Sequence, residues 1–276
     1  MDAQTRAKYE AWKWNRIKRR VIFPSILVGL IIVLLIVTIV SCEREEEPEA
    51  EVTEPSNSEA TDESDLAISL PLVYLFNSHP LEMVGGTEGN PYVGEMDIIE
   101  MTHQLADLLD FHGVPSLVET RNVDQKLQQN NWEFDRSFYA AREFVFDAKA
   151  QVPSLEFFID LHRDGIAHRY ATVEIDGITY ARIIFVIGSD NPNGYEETYY
   201  TANQLHQLLE QRLPGISRGM FLSGGVGRDG IYGQDISPRL QLIEVGTYTS
   251  TVEEVERTLE ILAEVLADYL LNVNEN

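Results

Sequence analysis

Apolar positions along the chain form runs of two kinds. Val21 to Val40 is almost uninterrupted Ile, Leu and Val, without the amphipathic period of a surface helix. About 20 apolar residues are what a helix needs to cross a bilayer, and Pro24 and Gly29 are residues that such helices tolerate. From Leu70 onward the runs are short and alternate with helix-periodic stretches.

In this second region the pattern predicts strands at Leu72–Phe76, Val114–Val118, Leu155–Leu161, Ile183–Ile187 and Leu240–Val245. A hairpin is expected where Thr172–Ile175 and Ile178–Ala181 flank Asp176-Gly177. Helical spacing runs from Met96 to Leu109, with Gly113 as its C-cap residue. Further helices are expected over Ser137–Ala150, with Ser137 as an N-cap, and over Thr198–Leu213. The last helix opens with Thr251 and Glu254 in an S/T-x-x-E capping box and runs to Leu271. Strands alternating with helices predict an α/β fold: a mostly parallel sheet with helices on both faces.

Charge divides the chain further. The formal net charge of −24 excludes a nucleic-acid binder, which needs a basic face. Residues 1–20 hold seven Lys and Arg against two acids, a net of +5, which leaves −29 for the rest. Cations on the amino-terminal side of the apolar run predict a cytoplasmic amino terminus and an exported remainder. Ile39-Val40-Ser41-Cys42 is similar to a bacterial lipobox; the run is long for a signal h-region, which favours an uncleaved anchor over lipidation at Cys42. Residues 43–65 contain eleven acids with Pro48 and Pro55, a composition that predicts a disordered, extended linker. The expected organisation is a basic cytoplasmic arm (1–20), a transmembrane helix (21–41), an acidic linker (42–69) and an extracytoplasmic catalytic domain (70–276).

The chemistry is expected where apolar strands stop, because open α/β sheets bind ligands beyond the carboxyl ends of their strands. Phe157-Phe158-Ile159-Asp160-Leu161 stops at His162-Arg163-Asp164. Leu72–Phe76 leads into His79 and Glu82, an H-x-x-E spacing that lets imidazole and carboxylate close on one ion. Leu240–Ile243 leads into Glu244. Cys42 is the only cysteine, so a metal must be held by His and carboxylate. His79, Glu82 and His162 form a His₂Glu set, the ligand set of catalytic zinc, and Glu244 is placed to serve as general base and acid. Glu95, at the start of the first helix, is the alternative acidic ligand; the helix dipole alone would also favour an acid there. Arg163 is expected to bind substrate, and Asp164 to bind substrate or orient a ligand histidine. His103, His112 and His206 are read as solvated, and His168 as a neighbour of the site loop. Trp132, Phe134, Phe138 and Tyr139 are read as core. Gly224–Gly230 lacks the Lys-Ser/Thr of a phosphate loop and is read as a flexible rim of the cleft, or a lid.

Five segments carry a family resemblance: Ile159–Asp164, Phe185–Gly188, Leu213–Gly219, Tyr232–Pro238 and Leu242–Gly246. In order and spacing the chain resembles the stage II sporulation protein P family, membrane-anchored zinc cell-wall hydrolases related in fold to N-acetylmuramoyl-L-alanine amidases and zinc exopeptidases. The resemblance implies a Zn²⁺ cofactor and cleavage of the amide between muramic acid and the stem peptide, with endopeptidase action on cross-links. It implies peptidoglycan as substrate, and as partners a glycan-strand-cleaving wall hydrolase and other membrane proteins of the engulfment machinery. The family's first motif usually reads Thr-His-Thr-Thr-Glu-Ser-Tyr. Here Ser78-His79-Pro80-Leu81-Glu82-Met83-Val84 keeps the His and Glu but loses the hydroxyls between them. Gly233 replaces a usual asparagine, and Thr247–Ser250 a segment usually containing Asn-Thr. A metallocarboxypeptidase-like peptidase shares the same ligand set and is the alternative enzyme; a metal-free anchored wall-binding protein is the alternative of another class.

Overall fold

The structure, a computed structural model, describes residues 70–273. The expected basic arm, transmembrane segment, lipobox cysteine and acidic linker lie outside the described residues. Among the described residues no helix is long and apolar enough to cross a membrane.

The chain opens with β1 (Val73–Phe76), then a short antiparallel pair, β2 (Met83–Val84) and β3 (Met96–Asp97). Helix α1 (Ile98–Phe111) follows, capped by Asp97, whose carboxylate accepts from the Glu100 N–H at 2.8 Å. It ends at Gly113, where φ is +82°, a conformation that costs glycine little. Next come β4 (Ser116–Val118), α2 (Val123–Asn130), a 3₁₀ turn (Phe134–Arg136), α3 (Ser137–Gln151) and β5 (Phe157–Asp164). A short helix α4 (His168–Ala171) leads into the hairpin β6 (Thr172–Ile175) and β7 (Ile178–Ala181). The chain finishes with β8 (Ile183–Gly188), α5 (Glu196–Arg212), β9 (Ser217–Ser223), β10 (Leu240–Thr247) and α6 (Val252–Val273).

The main sheet has the order β4-β1-β5-β10-β8-β9. Strands β4, β1, β5 and β10 are mutually parallel; β8 runs antiparallel to β10, and β9 parallel to β8. This is a mixed α/β fold with a mostly parallel sheet, as the alternation of elements predicts. Its central strand β5 is buried on both faces, from Phe157 to Arg163. On one face Tyr74, Phe76, Phe158 and Leu240 pack against Leu127, Ala140, Phe144 and Val145 of α2 and α3. Helix α6 packs against both α1 and α5, and all three contact the sheet. Burying some 150–250 Å² for each aromatic ring makes Tyr74, Phe157, Phe158 and Phe185 the large contributors to this core.

Several local expectations are corrected. Strand β5 does not stop at Leu161. It continues through His162 to Asp164, because β10 keeps pairing alongside it, with Glu244 opposite His162 and Thr247 opposite Asp164. Ser137 is the first helical residue of α3 rather than its cap; its hydroxyl donates to the Phe134 carbonyl and closes the 3₁₀ turn. Phe134 and Tyr139 are not core but 57% and 47% exposed. The polar helix α2 and the edge strand β9 carry no apolar pattern that predicts them.

Candidate metal centre and cleft

Position in the sheet explains why polar groups gather at one end. Side chains alternate across a strand, so Phe158, Asp160, His162 and Asp164 share one face of β5. Leu240, Leu242 and Glu244 share the same face of β10. Near Phe158 and Leu240 that face is covered by α2 and α3. Farther along the helices stop covering it, and it opens into a cleft of about 1180 Å³ lined by His162, Asp164, Leu242 and Glu244.

The loop after β1 brings in the other two groups. His79-Pro80-Leu81-Glu82 is a tight turn, closed by the Glu82 N–H donating to the His79 carbonyl at 3.2 Å. Proline at its second position presets φ for such a turn. The turn sets His79 Nδ1 3.6 Å from Glu82 Oε1, while His162 Nδ1 lies 3.3 Å from Glu82 Oε2. Ligand atoms of His79, Glu82 and His162 thus lie within 4.8 Å of one another. Glu95 is exposed, its N–H bonded to the Val84 carbonyl, and it lies outside this group.

Asp160 and Ser78, which the sequence reading passed over, hold His162 from behind. Asp160 Oδ1 lies 3.0 Å and Ser78 Oγ 2.9 Å from His162 Nε2, and the Ser78 N–H donates to the same Asp160 oxygen at 2.8 Å. Both are fully buried. A proton fixed on Nε2 by this carboxylate leaves Nδ1, which faces Glu82, as the nitrogen available to a cation. The signal was present in the sequence: Asp160 interrupts an apolar strand two residues before His162, on the same face.

Electrostatics follow from this crowding. Burial pushes the Glu82 carboxyl up, but His162, His79 and Arg163 outweigh it and hold Glu82 well below the usual carboxylate range. Burial pushes His162 down, yet Asp160 and Glu82 prevail and raise it well above the ordinary imidazole value. Glu244 goes the other way: burial, then the Asp164 charge, push it up to about 8 against the pull of His162 and Arg218. The cluster therefore holds protons that a divalent cation would displace. The donor set fits such an ion: two imidazoles and one carboxylate, one imidazole braced by a buried aspartate.

The remaining expected groups take different places. Arg163 is buried; its backbone N–H donates to Glu82 Oε2 at 3.1 Å and its guanidinium lies 3.6 Å from Glu82 Oε1. It supports the acidic ligand first, while still lining the cleft. Asp164 does not orient His162, a role that falls to Asp160. It pairs with Arg218 at 2.7 Å and accepts from the Gly165 N–H. His168 lies 2.9 Å from Glu254, and His206 2.8 Å from Ser217 Oγ, so both are structural. The aromatic residues form a wall: His79 stacks on Phe134 at 4.7 Å and contacts Phe138 at 4.8 Å, and Phe138 meets Tyr232 edge-on at 4.8 Å. Periodicity cannot separate a cleft wall from a core, because both need large apolar side chains.

Gly224–Gly230 does rim the cleft, through Gly227 and Arg228. It is tied down at both ends by Asp190, whose carboxylate accepts from the Gly225 N–H at 2.7 Å and whose N–H donates to the Gly230 carbonyl at 2.9 Å.

Comparison with known proteins adds to this geometry. A curated relative, "Stage II sporulation protein P" of Bacillus subtilis (strain 168), is 35% identical over 160 residues, covering 58% of this chain and 40% of the relative. The chain thus spans less than half the length of that protein. Among solved structures, Cwp6 from Clostridium difficile aligns over 72% of this chain and 29% of its own, at 11% identity and a TM-score of 0.41. A metallo-carboxypeptidase from Burkholderia cenocepacia aligns over 78% and 60%, at 12% identity and a TM-score of 0.39. Residues 39–267 match the Stage II sporulation protein P family as a whole, and since that is most of the chain and includes every residue of the metal cluster, the chain belongs to this family.

Proposed function

We propose that the chain is a zinc-dependent peptidoglycan hydrolase that cleaves the N-acetylmuramoyl-L-alanine amide bond, and stem-peptide cross-links as a second activity, in wall remodelling during sporulation-type engulfment. The observation that carries this reading is the His79–Glu82–His162 cluster, its atoms within 4.8 Å of one another, on the floor of an open cleft. Family membership supports the sporulation context, and the fold is consistent with an amidase or zinc exopeptidase relative.

His79, Glu82 and His162 would hold the ion. When bound there, zinc supplies Lewis acidity that polarises the scissile carbonyl and acidifies water. Glu244 accepts the proton of the attacking water as the C–O bond forms, then passes it to the amine nitrogen as the C–N bond breaks. In the metal-free cleft Glu244 is pushed up to about 8 and holds its proton at neutral pH; a cation at His79, Glu82 and His162 would favour the carboxylate that the base role needs. Asp160 and Ser78 keep His162 in one orientation. The aromatic wall of Phe134, Phe138 and Tyr232 gives apolar and sugar-ring surfaces a place to rest and keeps His79 from rotating.

On this reading the apolar segment 21–41 anchors the chain in the cell membrane with its amino terminus in the cytoplasm, or Cys42 does so through a lipid. The domain then reaches the wall on its acidic linker. A glycan-strand-cleaving hydrolase and engulfment membrane proteins are the expected partners. Digestion of purified peptidoglycan by the zinc-loaded protein, followed by mass spectrometry, tests the reaction. Intact stem peptides are the expected product; trimmed peptides alone would point to a peptidase, and no product with zinc bound would sink both.

A further inference from the structure

The cleft is lined by four arginines, Arg136, Arg163, Arg218 and Arg228, in a chain of net charge −24. Two are neutralised inside the fold: Arg163 lies 3.6 Å from Glu82 and Arg218 2.7 Å from Asp164. Arg136 also pairs with no carboxylate among the described residues, and its guanidinium lies 5.7 Å from the Tyr139 ring. Arg228 differs from Arg163 and Arg218 in lacking a carboxylate, and from Arg136 in being hydrogen-bonded in place. Among the described residues it pairs with no carboxylate; its Nη1 donates to Ser223 Oγ at 3.1 Å and its guanidinium lies 5.3 Å from the Phe221 ring.

The cation is also held in place. Ser223 Oγ is itself 2.6 Å from the buried Tyr232 hydroxyl. The adjacent Asp229 is turned into its own loop, where its Oδ1 accepts from the Ile231 N–H at 3.1 Å and from the Tyr232 N–H. The loop packs so closely on Asp190 that a Cβ at Gly224 or Gly230 would collide with that side chain. Tyr232 adopts φ +55°, which non-glycine residues rarely take and which persists only where the surroundings impose it. The result is a pre-oriented guanidinium at the rim, stacked on one side and with donors left over. A planar fork of N–H donors matches a carboxylate in two contacts and matches a neutral amide poorly.

We infer that Arg228 is a specificity-determining residue that binds a free carboxylate of an acidic peptide, so that the enzyme prefers stem peptides with unmodified carboxyl groups over amidated ones. This rests on the hydrolase reading for the identity of the peptide, but not for the contact itself.

The test is calorimetric binding to the zinc-loaded full-length chain, in a Glu244→Gln background to block turnover. The probes are one stem peptide with its carboxylates free and the same peptide amidated. The free form should bind roughly tenfold more tightly, the order expected for one charge-assisted contact. Arg228→Gln should abolish that preference, and Arg228→Lys, which keeps the charge but not the fork, should retain part of it. Equal affinity for the two peptides, or a preference that survives Arg228→Gln, overturns the inference. In parallel, failure of the Glu244-containing chain to hydrolyse the muramic-acid-linked form of either peptide, with the binding preference intact, would refute the hydrolase reading and leave Arg228's role standing.

Discussion

Asp160→Asn isolates the bracing of the metal site. The change is nearly isosteric, and the amide oxygen can still accept from the Ser78 N–H, now 2.8 Å from Asp160 Oδ1, so packing around a fully buried side chain is kept. What is lost is the negative charge 3.0 Å from His162 Nε2. That charge does two things. It fixes the proton on Nε2, leaving Nδ1 as the ligand atom, and it makes the imidazole a stronger donor toward a cation. Loss of such a partner behind a ligand histidine typically costs 10- to 100-fold in metal affinity, which is about 1.4–2.8 kcal/mol. Because Asp160 also raises His162 above its ordinary value, the variant should release fewer protons when zinc binds near neutral pH. Both quantities come from one assay, zinc titration by calorimetry in buffers of different ionisation enthalpy. Unchanged affinity together with unchanged proton release would refute the claim that Asp160 positions His162.

Other consequences follow from the same geometry. Glu244→Gln should remove turnover while leaving zinc binding intact, since Glu244 is no part of the ligand cluster; loss of zinc in that variant would make it a ligand instead. Without metal, two groups favour the protonated folded state: Glu244, raised from 4.5 to about 8, and His162, raised above its usual 6.5. Their contribution is full below the unfolded values and lost as pH rises through the folded ones. Thermal melts in EDTA should therefore show stability falling from pH 5 to pH 8.5, with a shallower slope in Glu244→Gln. Stability contributed by Glu82, which is depressed, is instead lost as pH falls below the usual carboxylate range. Zinc should stabilise more at the alkaline end, and a metal-free melting temperature that rises over that range would contradict the assignment. Thr251→Ala removes the hydroxyl that accepts from the Glu254 N–H at 3.2 Å in the capping box of α6. It should cost about 1 kcal/mol in denaturant unfolding.

What could be read from sequence was mostly local. The β6–β7 hairpin is legible because Asp176 and Gly177 take φ of +52° and +76°, and few residue pairs accept that turn. The capping box is legible because Thr251 and Glu254 each accept from the other's backbone N–H, a pattern contained within four residues. His162 stands out because a polar residue ending an apolar strand at the centre of a sheet needs a reason to be there. The choice between Glu82 and Glu95 was not legible, because it depends on a turn closed by one hydrogen bond. Ser78 acquires its role only when β1 and β5 lie side by side, with Phe76 opposite Asp160, a register no local pattern encodes. Strand β9 escaped because Ser217–Ser223 is an edge strand with both Phe221 and Leu222 exposed, so it lacks the alternation that burial of one face imposes. Phe134, Phe138 and Tyr139 read as core in the sequence for the reason that makes them useful: they are apolar surface left uncovered at the cleft.

The central claim, that His79, Glu82 and His162 form a catalytic zinc centre, is tested most directly by measuring bound metal and peptidoglycan products on the same preparation of the wild-type chain and of His162→Ala. One zinc per wild-type chain and release of intact stem peptides are expected, with both lost in the variant while the fold survives by circular dichroism. Full hydrolytic activity in a folded His162→Ala protein would contradict the claim.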